Sequence, residues 1–400
     1  MEALIKQGYN VVVLAKKGIY TKKIEKDGAT FIEYDFDNKI YYDYEKIKQL
    51  LNIFEKYDVK EVHINQFPAM NTVMPACMIA NIPYIIYAHM GEAGRKSTFD
   101  FFEEQYITYK ENFNMLFKYA YKIITISNAN KDYIAERYNV SDKEKIIVNR
   151  NSINFDEYKS NSNVEQIKNI LILGRLEEIH YKSVLDGIEL YNILNKIYKN
   201  VSLRIAGGGA SKQKIEEYVK ENNIENVTFL GSISNVKEEI EKSDIVIGMG
   251  RCILEAIAMK RIAIISEYTG MRNILSKENL EIELEENFSG KSLELKDVRE
   301  IAKKVQELYK AKIQELVEYN YNQILEKLDI NKNIYVANLE DYKYDINLSE
   351  LMVLIVKINN TLGKLEEEKS NKIESNWKDH IEYKKWMEQR NNNKRLDIKS

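Results

Sequence analysis

The sequence predicts an α/β chain of two Rossmann-like domains followed by a helical C-terminal extension. Three observations carry this expectation. Short apolar runs alternate with helical patterns from the start to about residue 155, the alternation stops at a polar stretch, and it then begins again. Length agrees, because 400 residues exceed what one hydrophobic core organises and suit two domains with something added. The expected divisions are 1–158, 159–329 and 330–400.

Taken in order, Met1 to Gln7 reads as a helix stopped by Gly8, and Val11 to Leu14 as a buried strand. The chain therefore opens partway through a unit. In a doubly wound sheet the first strand is central, so a preceding strand and its glycine loop are expected to be missing, which leaves inner strand edges unpaired. Thr30 to Tyr34 is the next strand, Tyr44 to Tyr57 a helix, Glu61 to Ile64 a strand and Met70 to Ala80 a helix. Ile82 to His89 gives a strand that ends on a histidine. Phe101 to Tyr121 is a long helical stretch, followed by the strand Ile123 to Ile126 and a helix reaching about Tyr138. Lys145 to Phe155 closes the first domain. Polar residues from Asp156 to Gln166 form a hinge, beside which an interdomain ligand cleft is expected.

In the second half, Ile170–Leu173, Ser202–Ala206, Val227–Leu230, Asp244–Ile247 and Ile262–Ile265 are five strands with helices between them. After about Asp329 the rhythm changes. Leu348, Leu351, Ile355, Ile358, Leu362 and Leu365 step by three and four, a short seam that reads first as a helix docked on its own protein and second as a self-association surface over 348–365.

Composition excludes several classes. A net charge of −3 argues against a nucleic-acid binder, which should be basic. Four scattered histidines and two cysteines offer no metal cluster at ligand spacing, so no metal is expected to be required. Cys77 and Cys252 both lie among apolar neighbours and read as free buried thiols in a reducing compartment. With no membrane span and no signal segment in the pattern, a cytoplasmic location is expected. Asp35-Phe36-Asp37 spells Asp-x-Asp but has no partner carboxylates at useful spacing, so it reads as a turn. The run Lys16, Lys17, Lys22, Lys23 and Lys26 reads as a solvated loop, with a peripheral contact at the inner membrane face as the functional alternative.

The chemistry concentrates in the second half. After Ile245–Ile247 the chain breaks into Gly248-Met249-Gly250-Arg251 and then starts a helix carrying Glu255 near its first turn. Glycines let a ligand approach the backbone, exposed amides at a helix start attract anionic oxygens, and a carboxylate there can grip a ribose diol. Gly174-Arg175-Leu176 follows another strand, with Lys182 just beyond. One guanidinium and one ammonium at a strand's carboxyl end can clamp a diphosphate as it leaves. Alone, such charges are usually solvated surface; beside Glu255 and the two-sheet rhythm they read as a clamp. Gly207 and Gly208, in Ala206-Gly-Gly-Gly-Ala210, form a further close-approach loop that by itself is weak evidence for a nucleotide.

These segments resemble the donor site of retaining, two-domain glycosyltransferases of the GT-B fold, family 4, in the branch that spells Gly-x-Gly-Arg and then Leu-Glu-Ala. The resemblance rests on Gly174-Arg175-Leu176 with a following lysine, on Val227-Thr-Phe-Leu-Gly231, on Leu254-Glu255-Ala256-Ile257-Ala258 and on Asn151-Ser-Ile-Asn154 as the linker entrance. It implies transfer of a sugar from a nucleotide-sugar donor to a glycan, lipid-linked or small-molecule hydroxyl, with retention. Arg175, Lys182, Glu255 and His89 would be the reacting-site residues. Gly174, Gly207, Gly208, Ser232, Gly248, Gly250, Arg251, Gly270 and Met271 would touch the donor, the last two from a glycine-bearing loop. Glu92 would stand near the acceptor. One departure is plain: the family carries a second glutamate eight positions before Glu255, where this chain has Ile247. Asn287-Phe-Ser-Gly290 also follows that branch, without an assigned task. The rival readings are a glycosyltransferase-like partner subunit without activity and, behind it, a sugar-nucleotide epimerase.

Overall fold

A computed structural model of the chain describes residues 1–36, 44–65, 67–88, 107–160, 162–198, 200–333, 349 and 353. Met1–Val11, Ile124–Tyr133 and Ile146–Asn338 belong to one compact unit, and Val12–Ile123, Ile134–Lys145 and Leu339–Ser400 to another.

The first half alternates as its apolar pattern requires. Helix α1 (Glu2–Lys6) leads to β1 (Val12–Ala15), α2 (Thr21–Lys26), β2 (Thr30–Glu33), α3 (Tyr44–Lys56), β3 (Val62–Ile64), α4 (Phe67–Ala80) and β4 (Tyr84–Ala88). Then come α5 (Ile107–Tyr119), β5 (Lys122–Thr125), α6 (Asn128–Arg137) and β6 (Ile146–Val148). Strands β3, β4, β5 and β6 form one sheet in that order, while β1 and β2 pair in parallel as a separate two-stranded sheet. Among the described residues, no strand joins the two sheets. Helix α3 faces inward through Ile47, Leu50 and Phe54, spaced at three and four, the stripe that an amphipathic helix buries.

The expected last strand of this half is shorter than its apolar run. Ile146–Val148 is extended in the sheet, but Ile153 instead makes an isolated parallel bridge with Asp329. Its amide donates to the Leu328 carbonyl at 2.9 Å, and the Ile330 amide donates back to Ile153 at 2.9 Å.

The second half is a six-stranded sheet in the order β12-β11-β10-β7-β8-β9. Its members are β7 (Asn169–Leu173), β8 (Ser202–Ala206), β9 (Val227–Gly231), β10 (Ile245–Gly248), β11 (Ile262–Glu267) and β12 (Gly270–Ile274). Between and after them lie α7 (Tyr181–Ile197), α8 (Lys212–Glu221), α9 (Val236–Glu241), α10 (Arg251–Ala258), α11 (Leu280–Glu285), α12 (Val298–Gln306) and α13 (Lys310–Lys327). All neighbours pair in parallel except β12, which runs antiparallel to β11. Here the structure corrects the sequence reading, which placed Gly270 and Met271 in a loop. They open a strand, because a two-residue corner at Tyr268-Thr269 turns the chain straight back onto β11.

Strands buried on both faces need apolar residues at every position, and the core divides accordingly. Ile170, Ile172, Ile245, Ile247, Ile262 and Ile264 pack on one face with Ile188, Leu190 and Tyr191 of α7 and Ile301 of α12. Leu171, Leu173, Val246, Ala263 and Ile265 pack on the other with Ile253, Leu254 and Ile257 of α10 and Ile324 of α13. The alternation has the period of two that a pleated strand imposes.

Candidate donor site

Strand order locates the site. From β7 the chain moves outward through β8 to β9, then returns to place β10 on the other side of β7. Between β7 and β10 the winding direction reverses, and in open parallel sheets a crevice opens at the carboxyl ends of such a pair. The two loops that leave these ends are Gly174-Arg175-Leu176 and Gly248-Met249-Gly250. Neighbouring strands lie about 4.8 Å apart, so both loops border one crevice.

Close packing fixes the loops. A methyl group on Gly207 would stand 1.8 Å from the Gly174 carbonyl oxygen, and one on Gly248 2.6 Å from that of Leu173. One on Gly208 would stand 2.4 Å from Ser232 Oγ. Backbone bonds zip the same segments together: Gly174 donates to Ala206 at 3.1 Å, Leu176 to Gly208 at 2.9 Å and Gly207 to Gly231 at 2.8 Å. Gly174, Gly207, Gly208, Ser232, Gly248 and Gly250, scattered through the sequence, thus line one rim. Gly250 begins α10 with φ +68° and ψ −132°, a backbone region that only glycine enters readily, and no side chain caps the helix. The Ile253 and Leu254 amides donate to the Gly250 carbonyl at 3.1 and 3.4 Å, which leaves those of Arg251 and Cys252 to face an anionic ligand.

Charged groups sit around this rim. Arg175 is exposed and makes no ion pair or hydrogen bond among the described residues. Lys182 lies in the first turn of α7 and pairs with Asp186, four residues on. Asp186 is 3 % exposed, so a buried carboxylate aims a solvent-facing ammonium. The same carboxylate accepts the Met271 amide at 2.9 Å through Oδ2. Gly270, at φ +135°, passes so close that a methyl group would meet this oxygen at 2.4 Å.

Gly270 and Met271, expected to touch the donor, stand at the start of β12 beside Asp186. Both are buried, and the Met271 amide is already used. Asp186, which joins them to Lys182, was not singled out in the sequence; its place one helical turn after Lys182 was the available signal.

Glu255 stands in α10, 7 % exposed. Tyr158 Oη donates to its Oε1 at 2.9 Å and Arg251 Nε donates to the same oxygen at 3.0 Å. Both bonds fall on Oε1. Arg251 is tied on its far side to the Ser152 carbonyl at 2.9 Å, so it orients Glu255 as well as bordering the crevice. The phenol of Tyr158 is held well above its ordinary pKa, by burial first and then by the Glu255 charge, and stays a donor. Tyr158 lies 97 residues from Glu255, and no local pattern announced it.

His180 precedes α7, 8 % exposed, edge-on to Tyr268 at 5.0 Å between ring centroids. Burial and the Arg175 charge hold its imidazole below the ordinary pKa, which favours the neutral ring. Cys252 Sγ contacts the Leu173 and Met249 carbonyls at 3.3 and 3.2 Å, and burial raises its thiol to about 12. Both cysteines are free.

Ile247, where a glutamate was expected from the resemblance, is 0 % exposed within β10. Its side chain belongs to the sheet core, so that position offers nothing to a sugar. His89, Glu92, Asp37 and most of 348–365 lie outside the described residues, of which only 349 and 353 fall in that seam. Lys16, Lys17 and Lys23 pair with Asp35, Glu33 and Asp27 at 2.8, 3.2 and 3.0 Å, so much of the basic run is locally neutralised. Among the described residues no group of three or more His, Cys, Asp or Glu side chains could hold a metal ion, and no helix is long and apolar enough to cross a membrane.

A reversed winding point rimmed by glycines, with a guanidinium on one lip and a carboxylate-bearing helix on the other, defines a nucleotide-binding α/β enzyme. Comparison narrows the class. Residues 1–157 match the model of Glycosyltransferase Family 4, and residues 167–311 that of Glycosyl transferases group 1. The unmatched residues between them fall in the polar hinge. The chain is a glycosyltransferase with the GT-B fold.

Solved structures share that fold at low identity. HepE from Anabaena, determined with UDP and glucose, is 13 % identical, with TM-score 0.56 over 92 % of this chain and 95 % of that one. The sucrose-phosphate synthase of Thermosynechococcus elongatus is 15 % identical, with TM-score 0.56 over 92 % and 91 %. A glycosyltransferase from Rickettsia africae is 18 % identical, with TM-score 0.50 over 82 % and 93 %. No match was found among curated proteins.

Proposed function

We propose that the enzyme transfers a sugar from a nucleoside-diphosphate donor to a hydroxyl on a glycan, lipid-linked or small acceptor, with retention at the anomeric carbon. The observation that carries this reading is the adjacency of β7 and β10, which gives Arg175 and the start of α10 a common crevice. Arg175, Lys182 and the first-turn amides of α10 hold the diphosphate, whose charge grows as the glycosidic bond breaks. Glu255 accepts the ribose hydroxyls through Oε2. Ser232 borders the base and Gly207 and Gly208 admit the nucleotide's backbone-hugging path. These cations and amides supply the stabilisation that a metal would otherwise give.

In the transfer, the anomeric carbon loses its bond to the phosphate oxygen and gains one to the acceptor oxygen on the same face. The acceptor's proton passes to the departing phosphate. His89 keeps the role that the resemblance implies, beside the donor sugar. Structures of similar fold were obtained with UDP and glucose, and, for TarM of S. aureus, with UDP and α-GlcNAc-glycerol, which supports a nucleotide donor and a hydroxyl-bearing acceptor.

Calorimetric titration with UDP, GDP and ADP tests the reading. One of the three binds the parent, and Arg175→Ala and Glu255→Ala each weaken that binding by about 10-fold or more, the scale of one charge-assisted contact. Loss of donor turnover in both variants completes the case. Nucleotide binding unchanged in both would end it, and binding without turnover for any donor sugar would favour the inactive-subunit alternative.

A further inference from the structure

The segment Asn287-Phe288-Ser289-Gly290 lies outside every role assigned above, yet it touches the glycine loop of the donor site directly at one point and the strand beside that loop at another. The Phe288 carbonyl accepts the Gly250 amide at 2.7 Å. Gly290 sits on β11 so closely that a methyl group would stand 2.5 Å from Ile265 Cγ2, and Ile265 is the register partner of Gly248. The turn itself is strained. Asn287 and Phe288 are consecutive non-glycine residues at φ +56° and +58°, a left-handed conformation that each pays for unless its surroundings hold it.

Glu283 is what holds it. Its carbonyl accepts the Phe288 amide at 2.7 Å, and its carboxylate Oε2 accepts the Gly290 amide at 2.9 Å, so one residue fixes both ends of the turn. The side chain is 0 % exposed. Its Oε1 is buried without a partner. A carboxylate kept in so unfavourable a place, when an apolar side chain would fill it at lower cost, points to a task beyond packing.

We propose that Glu283 is a positioning residue for the transfer reaction: through the 287–290 turn it fixes the Gly250 amide and with it the pose of the donor loop and of α10. The claim rests on the reading that this loop receives the donor nucleotide. The charged groups facing Glu283 are Arg272 of β12, itself bonded to Glu267 of β11 at 2.9 Å, and Glu286 just past α11. Burial dominates among them and carries the acid up to about 7.

The test uses the full chain with Glu283→Leu and Glu283→Gln. Leucine removes both the acceptor and the buried charge, whereas glutamine keeps an acceptor oxygen for Gly290. Expected for Glu283→Leu at pH 8, where relief of the buried charge offsets the acceptor lost to the Gly290 amide, is a Tm close to that of the parent, Gly250 amide exchange faster by about 10-fold, and binding of the best of UDP, GDP and ADP weaker by about 10-fold. Glutamine should restore affinity to within about 3-fold. A merely structural role would move Tm and affinity together. Unchanged Gly250 protection and affinity in Glu283→Leu overturns the proposal.

If the parent binds none of the nucleotides, the donor-site reading fails by itself, and Gly250 exchange still decides whether Glu283 holds the loop. If Glu283→Leu does not fold, the amide resonances of Gly250 and Gly290 in the parent decide. They should titrate together near pH 7 and stay flat in Glu283→Gln, and a Gly250 resonance that does not move sinks the claim.

Discussion

Individual side chains in this enzyme act through a few oxygens. Glu255 spends Oε1 on Tyr158 and Arg251, and that division leaves Oε2 for the ribose contact proposed above. Tyr158→Phe removes one of the two bonds. We expect it to weaken nucleotide binding about 5-fold in calorimetry, the net worth of one hydrogen bond to a charged acceptor, with little loss of Tm. Asp186 carries two duties, aiming Lys182 and holding the Met271 amide. Asp186→Ala leaves that amide buried without an acceptor and should cost about 2–4 kcal/mol in denaturant unfolding, together with weaker nucleotide binding. Asp186→Asn, which keeps an acceptor oxygen, should recover most of the stability but less of the binding, since only the charge holds Lys182.

At the level of elements, the loops are interlocked by glycines, and their tolerance can be ranked. Gly207, at φ +155°, lies nearly in extended backbone, but a methyl group there would penetrate the Gly174 carbonyl oxygen at 1.8 Å. Gly270 combines φ +135° with a 2.4 Å approach to Asp186. Backbone oxygen cannot swing aside as a carboxylate can. Gly207→Ala should therefore be the more damaging of the two, by about 3 kcal/mol or more against about 2 kcal/mol, measured as midpoint shifts in urea. Gly174, with nothing within 4 Å of the added methyl, is the control that should fold unchanged. That contrast separates glycines needed for packing from glycines that only line the crevice.

For the whole molecule, Glu283 sets a pH dependence. Its folded acid is raised to about 7, above the ordinary carboxyl value, because ionisation has to occur out of water. A raised carboxyl contributes its stability fully below the unfolded pKa and loses it as pH rises through the folded one. Stability should thus fall between about pH 4.5 and 7 through this group. Glu283→Gln should match the parent near pH 4 and exceed it at pH 8 by up to about 3 kcal/mol in equilibrium denaturation. A difference of the opposite sign, or one independent of pH, would show that the buried acid is not ionising there.

Much of the fold could be read directly from the chain. The apolar runs Ile170–Leu173 and Ile245–Ile247 predict buried parallel strands because only a strand covered on both faces tolerates apolar residues at every position. Arg175, Glu255 and the glycines announced themselves because each stands directly at the end of such a strand or the start of a helix. The order of those strands in the sheet was not legible, since hydrophobic period says what is buried and not beside what. Only the placement of β10 against β7 brings Arg175 and α10 to one crevice. Tyr158, Asp186 and Glu283 escaped for the same reason: their partners are 97, 85 and 7 residues away, and even the nearest is reached only through a left-handed turn. Gly270 and Met271 were misplaced because a glycine after a strand signals a corner equally well whether the chain leaves the sheet or folds straight back onto it. What the sequence determined alone was the set of chemical groups and the elements that carry them, because those depend on local spacing; what the tertiary structure decided was which groups meet, because that depends on strand order and on close approaches between residues far apart in the chain.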